Sequence, residues 1–380
     1  MTTTRLSQPP LTSTRRAVLG TGAGLAAGAA LGSGGMAFAQ DATPGAAPGA
    51  TPAVTGGPAP DAQMQEVLDA LASFEAPPLE DVTPHIGRNL PSFANAVQAV
   101  VSENGLSALE PVAGVDHLLI PGDEGEILAR IYRPAGIESD ALPVLVYFHG
   151  GGFVIANLDT YDASCRALAN AAGCIVASIA YRLAPEDPFP AAVDDAYTAT
   201  QYVLANAGDI GGDPARVAVG GESAGGNLAA VVSLRARDEG AAMPVHLLLV
   251  YPVATLAPEG DAAVSVEQFA EAKPLNAPML EWFGSHYLSD PAAASDPMVS
   301  PLNAADLSGL PPATVILAEI DPLQSQGAVF AQALIDAGVD TTFTLYQGVT
   351  HEFFGMGAVV DKAVEAVAEA ATRLKASFGS

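Results

Sequence analysis

Two periodicities divide the chain. From Val144 onward, short near-continuous runs of Val, Ile, Leu and Ala alternate with segments at helical spacing, as expected when helices cover both faces of a parallel sheet. The runs predict strands at 144–149, 175–181, 216–221, 245–251, 314–319 and 341–346. Two earlier runs, 115–120 and 126–132, are separated by Pro121-Gly122-Asp123-Glu124-Gly125 and predict an antiparallel hairpin. The expectation is an α/β fold: one eight-stranded, mostly parallel sheet with helices on both faces. Ahead of it, Met64, Val67, Leu68 and Leu71 share one face of a helix over 61–72, and a weaker helical stretch covers 92–101. Between the sixth and seventh strands a long insertion, 255–312, has its own helix around Met279, Trp282 and Phe283. The stretches 61–105 and 255–312 are therefore expected to form a helical cap over the sheet, although the first could equally be ordinary surface packing.

Composition narrows the class. The 380 residues are 49% hydrophobic, enough for one large core in a domain spanning 61–380. Fifteen Lys and Arg stand against 42 Asp and Glu, a formal charge of −27, which argues against nucleic acid or an anionic membrane as partner. Residues 1–39 read as an address: Thr14-Arg15-Arg16-Ala17-Val18-Leu19 resembles a twin-arginine signal, and Ala37-Phe38-Ala39 fits a cleavage site before Gln40. Export to the periplasm or medium is expected, with no stable membrane insertion after cleavage. Residues 40–60 form a Pro/Ala/Gly-rich linker. Cys165 and Cys174 have apolar neighbours and read as buried thiols, although an exported protein could oxidise them. No Cys/His metal-ligand spacing and no phosphate-binding loop occurs, so no cofactor or metal is expected. Nothing separates monomer from dimer.

Chemistry enters at Gly221-Glu222-Ser223-Ala224-Gly225. This fits a nucleophile elbow, a strand-to-helix turn so tight that the positions two before and two after the serine can hardly carry side chains. An ordinary glycine-rich loop is the alternative. His149-Gly150-Gly151-Gly152-Phe153 follows the strand at 144–149, and its glycines can turn backbone N–H groups toward one point, as a developing oxyanion requires. Gly151, Gly152 and Ala224 are the expected donors. A serine hydroxyl needs a base, and in elbow-type enzymes acid and histidine follow it in sequence. Of the later histidines, His246 heads an interior strand and His286 lies in the insertion. His351 falls in a loop directly after the last strand, at the carboxyl end where such sheets place chemistry. Asp321 closes the seventh strand, where Pro322 ends the ladder, and is the expected partner; Glu319 is its rival on the same strand face.

With these motifs assembled, the chain resembles the bacterial hormone-sensitive lipase family of esterases, in the α/β-hydrolase superfamily. The resemblance runs from about Asp61 to near the C-terminus. It is carried by H-G-G-G-F at 149–153, Y-R-L-A-P-E at 181–186, F-P-A-A-V-D-D-A at 189–196, G-E-S-A-G-G-N at 221–227, D-L-S-G-L-P-P-A at 306–313, D-P-L at 321–323 and H-E-F-F-G-M at 351–356. It implies an α/β-hydrolase fold and cofactor-free hydrolysis of small-molecule carboxylic esters with short to medium acyl chains. By position, Ser223 would be nucleophile, His351 base then acid, and Asp321 its partner. An amidase, a lactonase or an inactive binding protein could share this frame.

The chain departs from the family pattern twice. Gln324-Ser325-Gln326 replaces an acidic pair, and Glu352 stands where glycine usually follows the histidine. A carboxylate beside His351 is expected to raise the imidazole pKa. Arg182 and Glu186 either support the oxyanion loop or form a surface ion pair, and Phe153, Trp282 and Phe283 are expected in the substrate pocket. The acidic field should also favour neutral or cationic esters over anionic ones.

Overall fold

A computed structural model describes residues 58–102, 105–137, 139 and 141–379. The stretch expected to direct export, 1–39, and nearly all of the expected linker, 40–60, lie outside the described residues. Eight strands form one sheet in the order β1-β2-β4-β3-β5-β6-β7-β8. β1 (Gly114–Gly122) and β2 (Gly125–Arg133) make the antiparallel hairpin, and β2 runs antiparallel to β4 (Ile175–Ala180). β3 (Leu142–Phe148), β4, β5 (Gly212–Glu222), β6 (Leu247–Val250), β7 (Ala313–Ile320) and β8 (Thr341–Thr350) are mutually parallel.

The largely apolar central strands still sort by the period of two that a pleat imposes. Val144, Val146 and Phe148 of β3 share one core with the helices α5 (Ala191–Asn206), α6 (Ala224–Glu239) and α9 (Gln324–Asp336). Leu145 and Tyr147 face the other way, into a core built with α4 (Asp162–Ala172) and α10 (Asp361–Phe378). Each large aliphatic side chain so buried stabilises the sheet by about 1.5–3 kcal/mol.

The N-terminal helix α1 (Ala62–Ala72) is capped by the Asp61 side chain, which accepts from the Met64 N–H at 2.9 Å. Met64 and Val67 are buried beside α3 (Phe93–Ser102), while the short α2 (Pro84–Gly87) lies between them in sequence. The insertion contains α7 (Val264–Gln268) and α8 (Ala277–Tyr287), the latter opened by Asn276, whose side chain accepts from the Met279 N–H. Cys165 and Cys174 are buried and unbonded, and burial pushes the Cys174 thiol up to about 12.

Candidate active site

The elbow is built by close backbone packing. Ser223 leaves β5 at φ 57°, ψ −118° and its successor Ala224 opens α6, so the Ala224 N–H has no acceptor within the helix. Glycine is required on both sides because strand, turn and helix nearly touch: a Cβ on Gly221 would lie 2.5 Å from the Gly225 carbonyl carbon and oxygen. The carbonyl of Val250 on β6 accepts from the Ser223 N–H at 2.9 Å and fixes the turn against the sheet.

His351, just beyond β8, points its Nε2 at Ser223 Oγ, 3.0 Å away. Its Nδ1–H donates to Asp321 Oδ2 at 2.7 Å, and the other Asp321 oxygen accepts from the Leu323 N–H at 2.8 Å. Asp321 is fully buried, and Pro322 breaks the β7 ladder so that the carboxylate turns toward β8. The structure thus brings together Ser223, Asp321 and His351. Glu319 turns elsewhere, accepting from the Gly348 N–H at 2.7 Å. His246 bonds Ser377 and Thr314, and burial lowers it to about 4. His286 is half-buried, edge-on to Trp282.

At the end of β3 the chain turns through Gly151 (φ 101°), Gly152 (φ 58°) and Phe153 (φ 64°). Among the described residues neither the Gly151 nor the Gly152 N–H has a protein acceptor, and both glycines line the same cavity as Ser223 and His351. The loop is tied down by Arg88, which no sequence pattern had indicated. Its Nε donates to the Val154 carbonyl at 2.8 Å and its Nη2 to the Ala184 carbonyl at 2.9 Å, while Phe153 O accepts from the Ala184 N–H. Glu186 grips Arg88 through Nη1 at 2.9 Å, and this pairing holds its carboxyl down near 2. Arg182 does not reach the loop: it binds Asp195 and Glu124. Of the two residues expected to support the loop, only Glu186 does so, and through a cation from the cap.

A cavity of about 1280 Å³ opens over Ser223, walled by both cap stretches. Phe153 and Phe283 line it, Phe153 stacked on Tyr287 with ring centroids 3.9 Å apart. Trp282 is not part of the wall. Its Nε1–H donates to the Val82 carbonyl at 3.1 Å and its ring packs on Phe283 and His286, so it fastens α8 to the segment before α2. The neutral Gln326 serves as an acceptor for the N–H groups of Ala254 and Thr255.

The electrostatics centre on His351. Burial opposes its charged form, but the Asp321 carboxylate, with Glu352 and Glu222 further off, outweighs burial and holds its pKa above the ordinary value. Glu352 is raised by its own burial, against the pull of His351 and the Tyr161 hydroxyl. Glu222, the variable residue of the elbow, is fully buried, hydrogen-bonded by the Tyr147 and Tyr251 hydroxyls, and pushed up to about 7 by burial and by Glu352. A lone phenol inside the apolar strand run around Tyr147 was the available signal for this acceptor. Burial also lowers His149 to about 4, leaving a neutral ring stacked on Tyr181.

A serine hydroxyl aimed at an imidazole that is backed by a buried carboxylate, in a cavity lined by glycines whose N–H groups have no protein acceptor among the described residues, is an arrangement suited to acyl transfer. A family model described as alpha/beta hydrolase fold matches residues 145–355. The chain belongs to the hormone-sensitive-lipase-like family of α/β-hydrolases. Within that family it is 44% identical to the carboxylic ester hydrolase LipN of Mycobacterium tuberculosis, over 64% of this chain and 65% of that one. It is 40% identical to esterase LipI of the same organism, over 68% of this chain and 80% of that one. The structure of a hyperthermophilic esterase from Pyrobaculum calidifontis superposes with a TM-score of 0.76 at 39% identity, covering 84% of this chain and 98% of that one.

Proposed function

We propose that this carboxylic ester hydrolase works through an acyl-enzyme formed on Ser223. The observation that carries the reading is the unbroken line from Ser223 Oγ through His351 to Asp321, at 3.0 and 2.7 Å. Nε2 takes the hydroxyl proton as Oγ attacks the ester carbonyl. The oxyanion is held by the N–H groups of Gly151, Gly152 and Ala224, and the imidazolium, stabilised by Asp321, returns the proton to the departing alcohol. Water then releases the acid by the same steps in reverse order. The aromatic walls at Phe153 and Phe283 take the apolar part of the substrate, and short to medium acyl chains are the expected substrates. Export through residues 1–39 belongs to the same reading, and is tested by sequencing the N-terminus of the exported protein, expected to begin at Gln40.

The deciding experiment follows hydrolysis of p-nitrophenyl esters of increasing acyl length by purified wild type and Ser223→Ala. Turnover that vanishes in the variant, with one equivalent of an aryl phosphonate bound by wild type alone, supports the reading. Full activity in Ser223→Ala overturns it.

A further inference from the structure

We propose that Glu352 is a positioning residue for the water that cleaves the acyl-enzyme, an inference that rests on the serine mechanism above. Glu352 occupies the left-handed region at φ 73°, ψ 2°, where a side chain costs about 1–2 kcal/mol relative to glycine. Oε1 stands 4.0 Å from His351 Nε2, the nitrogen that faces Ser223, and Glu352 forms part of the cavity wall. The Tyr161 hydroxyl donates to both carboxylate oxygens at 2.8 Å, and its buried ring is braced edge-on against Phe93 with centroids 5.5 Å apart. Among the described residues Tyr161 is the one hydrogen-bond donor to this carboxylate, which leaves most of its lone pairs available to water.

The spacing suits a molecule with two O–H groups. Donating both hydrogens at about 2.8 Å, a water spans acceptors a little over 4 Å apart, so one water can reach Nε2 and Glu352 together. In the free enzyme Nε2 is occupied by the Ser223 hydroxyl. Once Oγ is acylated it has no proton to donate, and Nε2 is released to accept from water. The water oxygen then bonds to the acyl carbon as its proton passes to Nε2. Collapse of the tetrahedral oxyanion breaks the carbon–Oγ bond, Nε2 returns the proton to Oγ, and the carboxylic acid leaves. Glu352 neither gains nor loses a proton; it fixes the second hydrogen and so aims the attacking lone pair.

Two consequences separate this from a purely structural role. Acylation uses the Ser223 hydroxyl itself, already aimed at Nε2, so Glu352 acts on deacylation selectively. An alcohol has a single O–H, which Nε2 takes, leaving none for Glu352; the carboxylate therefore favours water over alcohols as acyl acceptor.

The test compares wild type, Glu352→Gly and Glu352→Gln, as full chains, with p-nitrophenyl butyrate and graded methanol. Burst and steady-state release of p-nitrophenol report acylation and deacylation, and the ratio of methyl butyrate to butyrate reports acceptor choice whichever step limits turnover. In Glu352→Gly, deacylation is expected to fall about tenfold to a hundredfold and the ester-to-acid ratio to rise by a similar factor, the worth of one hydrogen bond to a charged group. At a pH above the acidic limb of kcat/KM acylation stays near wild type, and Glu352→Gln, whose amide oxygen can still accept, falls between the two. Glycine relieves the backbone at this position, so loss of the fold is not the expected cause of any defect. An unchanged acceptor ratio, or acylation and deacylation falling together, overturns the proposal. Failure of wild type to turn over any ester, or activity in Ser223→Ala, strikes the serine mechanism instead.

Discussion

Gly225→Ala tests whether the elbow and the oxyanion loop are one mechanical unit. A methyl at this position would drive into the Phe148 carbonyl oxygen and stand 2.5 Å from that carbonyl's carbon and 2.7 Å from the His149 oxygen. Even the His149 contact must open by about 0.6 Å to reach an ordinary carbon–oxygen separation of about 3.3 Å, and Phe148 demands more. Both obstacles are backbone, so no rotamer change relieves them. Either the first turn of α6 moves, carrying the Ala224 N–H, or the exit of β3 moves, carrying Gly151 and Gly152. Oxyanion donors act within about 2.7–3.1 Å, and losing one costs about 3 kcal/mol, so kcat is expected to drop about 100- to 1000-fold with KM little altered. Overpacking also lowers stability by about 1–3 kcal/mol. The assay is steady-state hydrolysis of p-nitrophenyl butyrate at a temperature where the variant is fully folded, judged by its thermal transition. Gly208→Ala is the control, since a Cβ there meets nothing within 4 Å. A folded Gly225→Ala enzyme with wild-type kcat refutes the reasoning.

Three further outcomes are expected. Arg88→Ala frees the carbonyls of Val154 and Ala184 together and should lower kcat about tenfold to a hundredfold, with no rescue by Arg88→Lys, because one ammonium cannot copy the fork; unchanged steady-state kinetics would contradict this. His351 must be unprotonated to act as base, so activity appears as pH rises through its raised pKa. Removing one of the three carboxylates that raise it, by Glu352→Gly, should move the acidic limb of kcat/KM to lower pH while Asp321 and Glu222 remain, and an unmoved limb counts against it. Glu222 titrates near 7 folded against about 4.5 unfolded, so the folded state keeps a proton that the unfolded chain has released. Stability therefore falls as pH rises across that window, and the thermal midpoint of Glu222→Gln should gain on wild type between about pH 5 and about pH 8. A constant difference would refute it.

Most of the frame was legible because it is written locally. Runs such as Leu142–Phe148, and Ala313–Ile320 apart from Thr314 and Glu319, are apolar along their length, the pattern expected of a parallel strand buried on both faces. The order Ser223, Asp321, His351 could be read because each residue terminates a strand or follows one. Arg88 was invisible: it lies 66 residues before Val154, and its partners are carbonyls, which every residue has. Trp282 was misplaced because an aromatic residue in a cap looks the same whether it faces substrate or holds the cap down. The tie from Tyr161 to Glu352 spans 191 residues and depends on two loops that meet only in the folded chain.

The Arg88 fork gives the N-terminal segment a second meaning. The residues before β1 look like a detachable roof, open to exchange between relatives in order to change what enters beneath. Yet the amides that would stabilise the transition state take their position from a guanidinium in that roof. Grafting a foreign roof would therefore retune the reaction rate along with substrate choice, unless the incoming piece carries an arginine that reaches the same two carbonyls.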